Sequence, residues 1–183
     1  MKLIIEKGYS MRDTAYSKRK IRQNIKLIQL VFHSFNGDKQ YKCFNFPDNH
    51  YDTLSLIDSY MHSEVRYRMD EGDDIAHDYG DKQVYNRVDK SNCLEKTKEY
   101  SIEILRWMAT VYCTLQWKKC IHSSCISDNI PAVTLYRLYD EMKNLSIDDV
   151  CEQLFNNYLS DKELSPTSGK YIICEDFEYE EDK

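Results

Sequence analysis

The feature that most constrains the fold of this chain is a helical rhythm of apolar side chains between positions 18 and 36. Ile21, Ile25, Ile28, Val31, Phe32 and Phe35 recur every three or four residues until Asn36-Gly37 interrupts them, and side chains at that spacing line one stripe of an α-helix. Ser10 is a candidate cap upstream. The rhythm returns at Leu54, Ile57, Tyr60, Met61 and Val65, predicting a second helix from about 52 to 69 with its end near Gly72.

The longest pattern begins near Asn92 and passes through Leu94, Tyr100, Ile104, Leu105, Met108, Val111, Tyr112, Leu115 and Trp117. Its apolar residues occupy more than one face, which predicts a central helix at about 93 to 121, stopped by Ser123-Ser124. Asp128-Asn129-Ile130-Pro131 opens a short helix carrying Leu135, Leu138, Tyr139 and Met142. Ser146 caps a last one, with Asp149 reaching back and Val150, Leu154, Phe155, Tyr158 and Leu159 facing inward. Residues 38–46 read as a loop with some extended character, and residues 70–92 as polar and irregular around a short helix near 81–88. The expected fold is all-α or mainly α, an irregular bundle of five to six helices around the central one, with at most a minor strand element. Residues 1–160 form the helical domain, and residues 161–183 a C-terminal extension with an acidic tail.

Composition places the 183 residues among folded proteins, with 42% hydrophobic and 31% charged side chains. The 15 tyrosines are expected at the edge of the core or on a surface that meets another molecule. No stretch approaches the roughly 20 apolar residues that cross a bilayer, and Met1-Lys2-Leu3-Ile4-Ile5-Glu6-Lys7 is too soon charged for a signal peptide. Seven irregularly spaced cysteines suit reduced thiols, so a cytoplasmic protein with no membrane contact is expected.

Net charge is −6, unevenly spread: residues 1–35 carry +6 and residues 175–183 carry −5. The basic helix with Lys18, Arg19, Lys20, Arg22 and Lys26 is a candidate partner surface, for which Arg19 and Arg22 are the chosen contacts. It could also follow a phosphate backbone, with Tyr9 and Tyr16 stacking on bases. The tail, with Phe177 and Tyr179 among its acids, is a second candidate that would mask a basic site on a partner or on the first helix.

Other chemistries find less support. Cys113, Cys120, His122 and Cys125 have zinc-ligand types, yet Cys113 and Cys120 sit two turns apart in one predicted helix, roughly 10 Å at 1.5 Å per residue. No metal and no cofactor are therefore expected. Asp70, Glu71, Asp73, Asp74, His77 and Asp78, with His62 upstream, could serve a small metal-dependent enzyme, but they lack a calcium-loop pattern and read as a solvated acidic loop. There is no nucleophile elbow, phosphate-cradling glycine loop or His-Glu-x-x-His, and only five glycines in all, so no catalytic residue is assigned. The last two helices mimic a helix-turn-helix, but Asp148, Asp149 and Glu152 stand where phosphates would lie.

Glu103-Ile104-Leu105-Arg106-Trp107-Met108, with Tyr112, Ile130-Pro131, Leu135, Tyr139, Met142 and an amino-terminal Gly8-Tyr9-Ser10, resembles a loose set of small helical bacterial proteins of uncharacterised activity. Members tend to be encoded beside toxin and antitoxin genes. The resemblance implies a non-catalytic, accessory or neutralising role whose partner is another protein, a toxin among the candidates, and it carries no catalytic residues over. The alternatives are a nucleic-acid-binding regulator using the basic helix and a small metal-dependent enzyme using the Asp70 to Asp78 loop.

Overall fold

The computed structural model describes residues 11–37, 50–72 and 81–167. They are mainly helical: α1 (Met11–Asn36), α2 (Thr53–Met61), α3 (Glu64–Asp70), α4 (Asp81–Arg87), α5 (Ile102–Lys119), α6 (Ser123–Asn129), α7 (Ala132–Met142) and α8 (Ile147–Leu154), with α8 continuing into a π-helical turn at Phe155–Leu159. Among the described residues the only extended pairings are two isolated bridges, Tyr51 with Glu95 and Ile121 with Pro166. The mainly helical expectation holds, and the segments are more numerous and shorter than the periodicity alone suggests.

Each extra break has a local cause. The helix expected over 52–69 divides at His62-Ser63 because the Ser63 hydroxyl accepts the Arg66 N–H at 3.2 Å, capping α3. The central helix starts at Ser101, not near 93, because residues 94–96 are bound as extended chain: Asp52 N–H donates to the Leu94 carbonyl at 2.8 Å and Lys96 N–H to that of His50 at 2.7 Å. Leu94, expected in the core, is 67% exposed as a result. At its other end α5 stops at Cys120, whose φ of 52° is left-handed, and Ser123, expected as a terminator, instead begins α6.

The longest packed interface joins α1 to α5, which run antiparallel. The Gln29 amide donates to Thr110 Oγ1 at 3.0 Å near its middle, and at its end Asn36 pairs with Tyr100 as a strand would: its Nδ2 donates to the Tyr100 carbonyl and its Oδ1 accepts the Tyr100 N–H, both at 2.9 Å. Thr53 adds a 3.2 Å hydrogen bond to the same Oδ1, and Lys96 Nζ reaches the Asn36 carbonyl at 2.9 Å. Asn36, placed by the sequence at a mere stop signal, thus ties three segments together.

The apolar stripe of α1 meets the other helices edge-on through aromatic rings. Phe32 packs T-shaped on Tyr60 and Tyr112, at centroid separations of 6.3 and 6.4 Å, and Phe35 packs on Tyr60 at 6.0 Å. Tyr60, Tyr85, Tyr100, Tyr112 and Tyr139 are all buried, so a good share of the tyrosines build the core and do not rim it. Tyr112 satisfies its hydroxyl on the Ile130 carbonyl at 2.7 Å. From Met108 to Trp117 every residue of α5 is buried, which bears out its central position. The chain beyond residue 160 begins anchored, with His122 N–H on the Ser165 carbonyl at 3.1 Å and Thr167 N–H on that of Cys120 at 2.9 Å.

Candidate binding surface

The basic helix presents its charge as a strip. Arg19, Arg22 and Lys26, exposed on α1, follow at three and four residues, and Gln29 and Leu30 prolong the spacing, so the strip from Arg19 to Leu30 is about 17 Å long at the helical rise; His33, one turn on, is buried. Lys20 does not belong to it; it is buried on the opposite face. Arg22, Lys26 and Lys20 already interact with other groups of the chain, whereas the guanidinium of Arg19 has no ion pair among the described residues.

At its carboxyl end the strip opens into a cleft between α1 and α5. The cleft is about 230 Å³ in volume and lined by Lys26, Gln29, Leu30, His33 and Arg106. Leu30 is 45% exposed, an apolar side chain set among basic ones. Arg106 comes from α5, brought to this face because α5 runs antiparallel beside α1 with Thr110, one turn on, bound to Gln29. Glu103, one turn before Arg106 on α5, makes no ion pair with it among the described residues. Sequence reasoning assigned Arg106 and His33 no role; neither stands out until the two helices are placed side by side.

A second polar cluster lies at the junction of α3 with the α5–α6 link. Arg66 and Asp70 are fully buried, Nη2 to Oδ1 3.2 Å apart. Asp70 accepts the Ser123 N–H at 2.7 Å on one oxygen and the Ser123 hydroxyl at 2.8 Å on the other, while that hydroxyl accepts Arg66 Nε at 2.7 Å. His122 has its Nε2 3.0 Å from Glu71 and its Nδ1 3.8 Å from Asp70, with Tyr67 stacked flat against its ring at 4.8 Å. The Asp70 carboxylate raises the His122 pKa, burial opposes it, and Glu71 adds to the rise.

Serine, histidine and aspartate come together there, but not as a nucleophilic site. Ser123 is completely buried, out of reach of a substrate, and its hydroxyl proton goes to Asp70, which is itself paired with Arg66. The reading of Asp70 as part of a solvated loop is corrected: its carboxylate neutralises Arg66 in the interior. The remaining members of that loop, Asp73, Asp74, His77 and Asp78, lie outside the described residues, as do Phe177 and Tyr179. His62 points elsewhere, its Nε2 2.8 Å from Asp128.

Among the described residues no three His, Cys, Asp or Glu side chains are grouped as metal ligands would be. Of the thiols considered for zinc, Cys113 is wholly buried and its pKa is pushed up to about 12 by that burial. The acids at the start of α8 lean onto α5, with Asp148 2.5 Å from Lys118 and Glu152 2.7 Å from Lys119. No described helix is long and apolar enough to cross a membrane. The chain matches no protein-family model, no curated protein and no solved structure.

Proposed function

We propose that this chain is a non-catalytic regulator that binds another protein, and that the basic strip of α1 is the surface that does so. The observation that carries the reading is the strip itself: Arg19, Arg22 and Lys26 in register on one exposed face, leading into a cleft that Leu30 helps to line. A charged rim around an exposed apolar side chain is the arrangement of a protein-binding patch. The partner it suits is an acidic segment with an apolar residue among its acids. The resemblance to helical proteins encoded beside toxin genes supports an antitoxin-like or accessory role for this binding.

Phosphate backbones would also be attracted to the strip; its described side chains offer Leu30 and no aromatic ring for stacking, while the side chains of Tyr9 and Tyr16 lie outside the described residues. The test is fluorescence anisotropy of the full chain with labelled polyglutamate and with a labelled single-stranded oligonucleotide, each at low and high salt. Binding of polyglutamate that fails in an Arg19→Glu, Arg22→Glu variant supports the proposal. Preferential binding of the oligonucleotide, with a steep salt dependence, would transfer the strip to the nucleic-acid reading.

A further inference from the structure

We infer that the cleft between α1 and α5 is an oxyanion pocket that receives one carboxylate of the acidic partner segment, with Arg106 as its principal ligand. The inference rests on the proposal above and names the chemistry of its end point. Gln29 and Arg106 bring hydrogen-bond donors to the cleft, Lys26 and His33 beside them already interact with other groups of the chain, and no carboxylate is among the described residues that line it. Glu103, the nearest acid along α5, makes no ion pair with Arg106 among the described residues. Arg106 therefore brings a permanently charged, planar fork to the cleft with no ion pair of its own among the described residues, and a carboxylate is the group that such a fork binds through two parallel hydrogen bonds.

Size and surroundings narrow the occupant. At about 230 Å³ the cleft falls below the roughly 300–1,000 Å³ of pockets that enclose whole small-molecule ligands. It has room for the end of one side chain. Gln29 lines the cleft and spends one amide proton on Thr110, which fixes the amide's orientation. Leu30, half-exposed beside the basic groups, gives the residue next to the bound acid an apolar face to rest on. A free phosphate would find the same donors but not the apolar contact, so the preferred occupant is a carboxylate within a peptide.

Amide NMR titration of the full-length protein with a polyglutamate peptide, and separately with inorganic phosphate, tests the assignment. Saturable shifts at residues 29–33 and 106–110 are expected with both probes. Arg106→Gln should weaken the peptide by about tenfold and Arg106→Lys should recover only part of that, since lysine keeps the charge but not the fork. Arg106 is exposed, so both variants should retain the wild-type spectrum elsewhere. Shifts confined to residues 19–26 and indifferent to Arg106→Gln would overturn the pocket while leaving the acidic-partner reading intact. Phosphate bound at Arg106 without any peptide binding would overturn the peptide-carboxylate assignment and leave a small-anion site; binding of neither probe would overturn the pocket and the partner reading together.

Discussion

Asp70 holds Ser123 twice, taking its backbone N–H on one carboxylate oxygen and its hydroxyl on the other. The grip fixes the first turn of α6 against the last turn of α3, and Arg66 closes the triangle by charging one partner and hydrogen-bonding the other. Removing one member of a buried pair strands the other in a medium that cannot solvate it. Asp70→Ala is therefore expected to lower unfolding free energy by about 3–5 kcal/mol, read from the urea midpoint. Replacing Arg66 and Asp70 together with apolar residues of similar volume should cost less than either single change; equal or greater loss would show that the pair is needed for the fold itself.

Asn36 gives a second handle on stability. Its amide satisfies both backbone groups of Tyr100 inside the protein, so Asn36→Ala should destabilise by about 1–3 kcal/mol by orphaning a buried N–H or carbonyl. Asn36→Asp keeps the acceptor for Tyr100 N–H and for Thr53 but sets an oxygen against the Tyr100 carbonyl, and should be no milder. Thermal melts of the two variants check the order.

The His122 cluster predicts a pH dependence. Asp70 and Glu71 are the charged groups that meet the ring, and Tyr67 covers one face. Folding raises the His122 pKa above its ordinary 6.5, so the native state holds the proton more tightly than the unfolded chain. The stabilisation is complete below the unfolded value and is lost as pH rises through the folded one. The gap in Tm between wild type and His122→Asn should thus be wider near about pH 5.5 than near about pH 8. A constant gap would mean that only the stacking on Tyr67 matters.

Arg19 and Arg22 yield a prediction that leaves stability alone. Both are exposed, so Arg19→Glu, Arg22→Glu should change the melting temperature little, by no more than about 0.5 kcal/mol equivalent, while lowering affinity for polyglutamate at low salt and flattening its salt dependence. Unchanged affinity by anisotropy would remove these two residues from the binding surface.

Much of the fold was legible because burial on a helix leaves a period. Ile21 to Phe35 and Leu105 to Leu115 follow that period and are buried as it requires. Ser146 was equally legible, accepting the Asp149 N–H at 3.1 Å, although its hydroxyl donates to the Asp149 carboxylate where a reach back to the backbone was expected. What the period could not register was competition from other segments. Leu94 fits a helical pattern and was drawn out of it by the pairing of residues 94–96 with Asp52 and His50; Ser63, inside the span expected as one helix, caps a second one.

The sites were harder to read for a related reason. Arg66 and Asp70 stand at the spacing of a surface ion pair on a helix, and nothing in the spacing says that Ser123 will arrive to bury them. Arg106 sits in a run of core-type residues, and its importance comes from Lys26, Gln29 and His33, eighty residues or so earlier. Arg19 and Arg22 were accessible to sequence reasoning because exposed charge on one helix needs no partner element to be recognised.

The complete enclosure of α5 between Met108 and Trp117 has a consequence for how the molecule comes apart. With no outer face, this stretch has no local opening that would let solvent reach its amides while its neighbours stay in place. Hydrogen exchange there should proceed only through global unfolding and report the full stability of the protein. Any ligand seated between α1 and α5 should therefore slow exchange along the buried stretch even where it touches nothing.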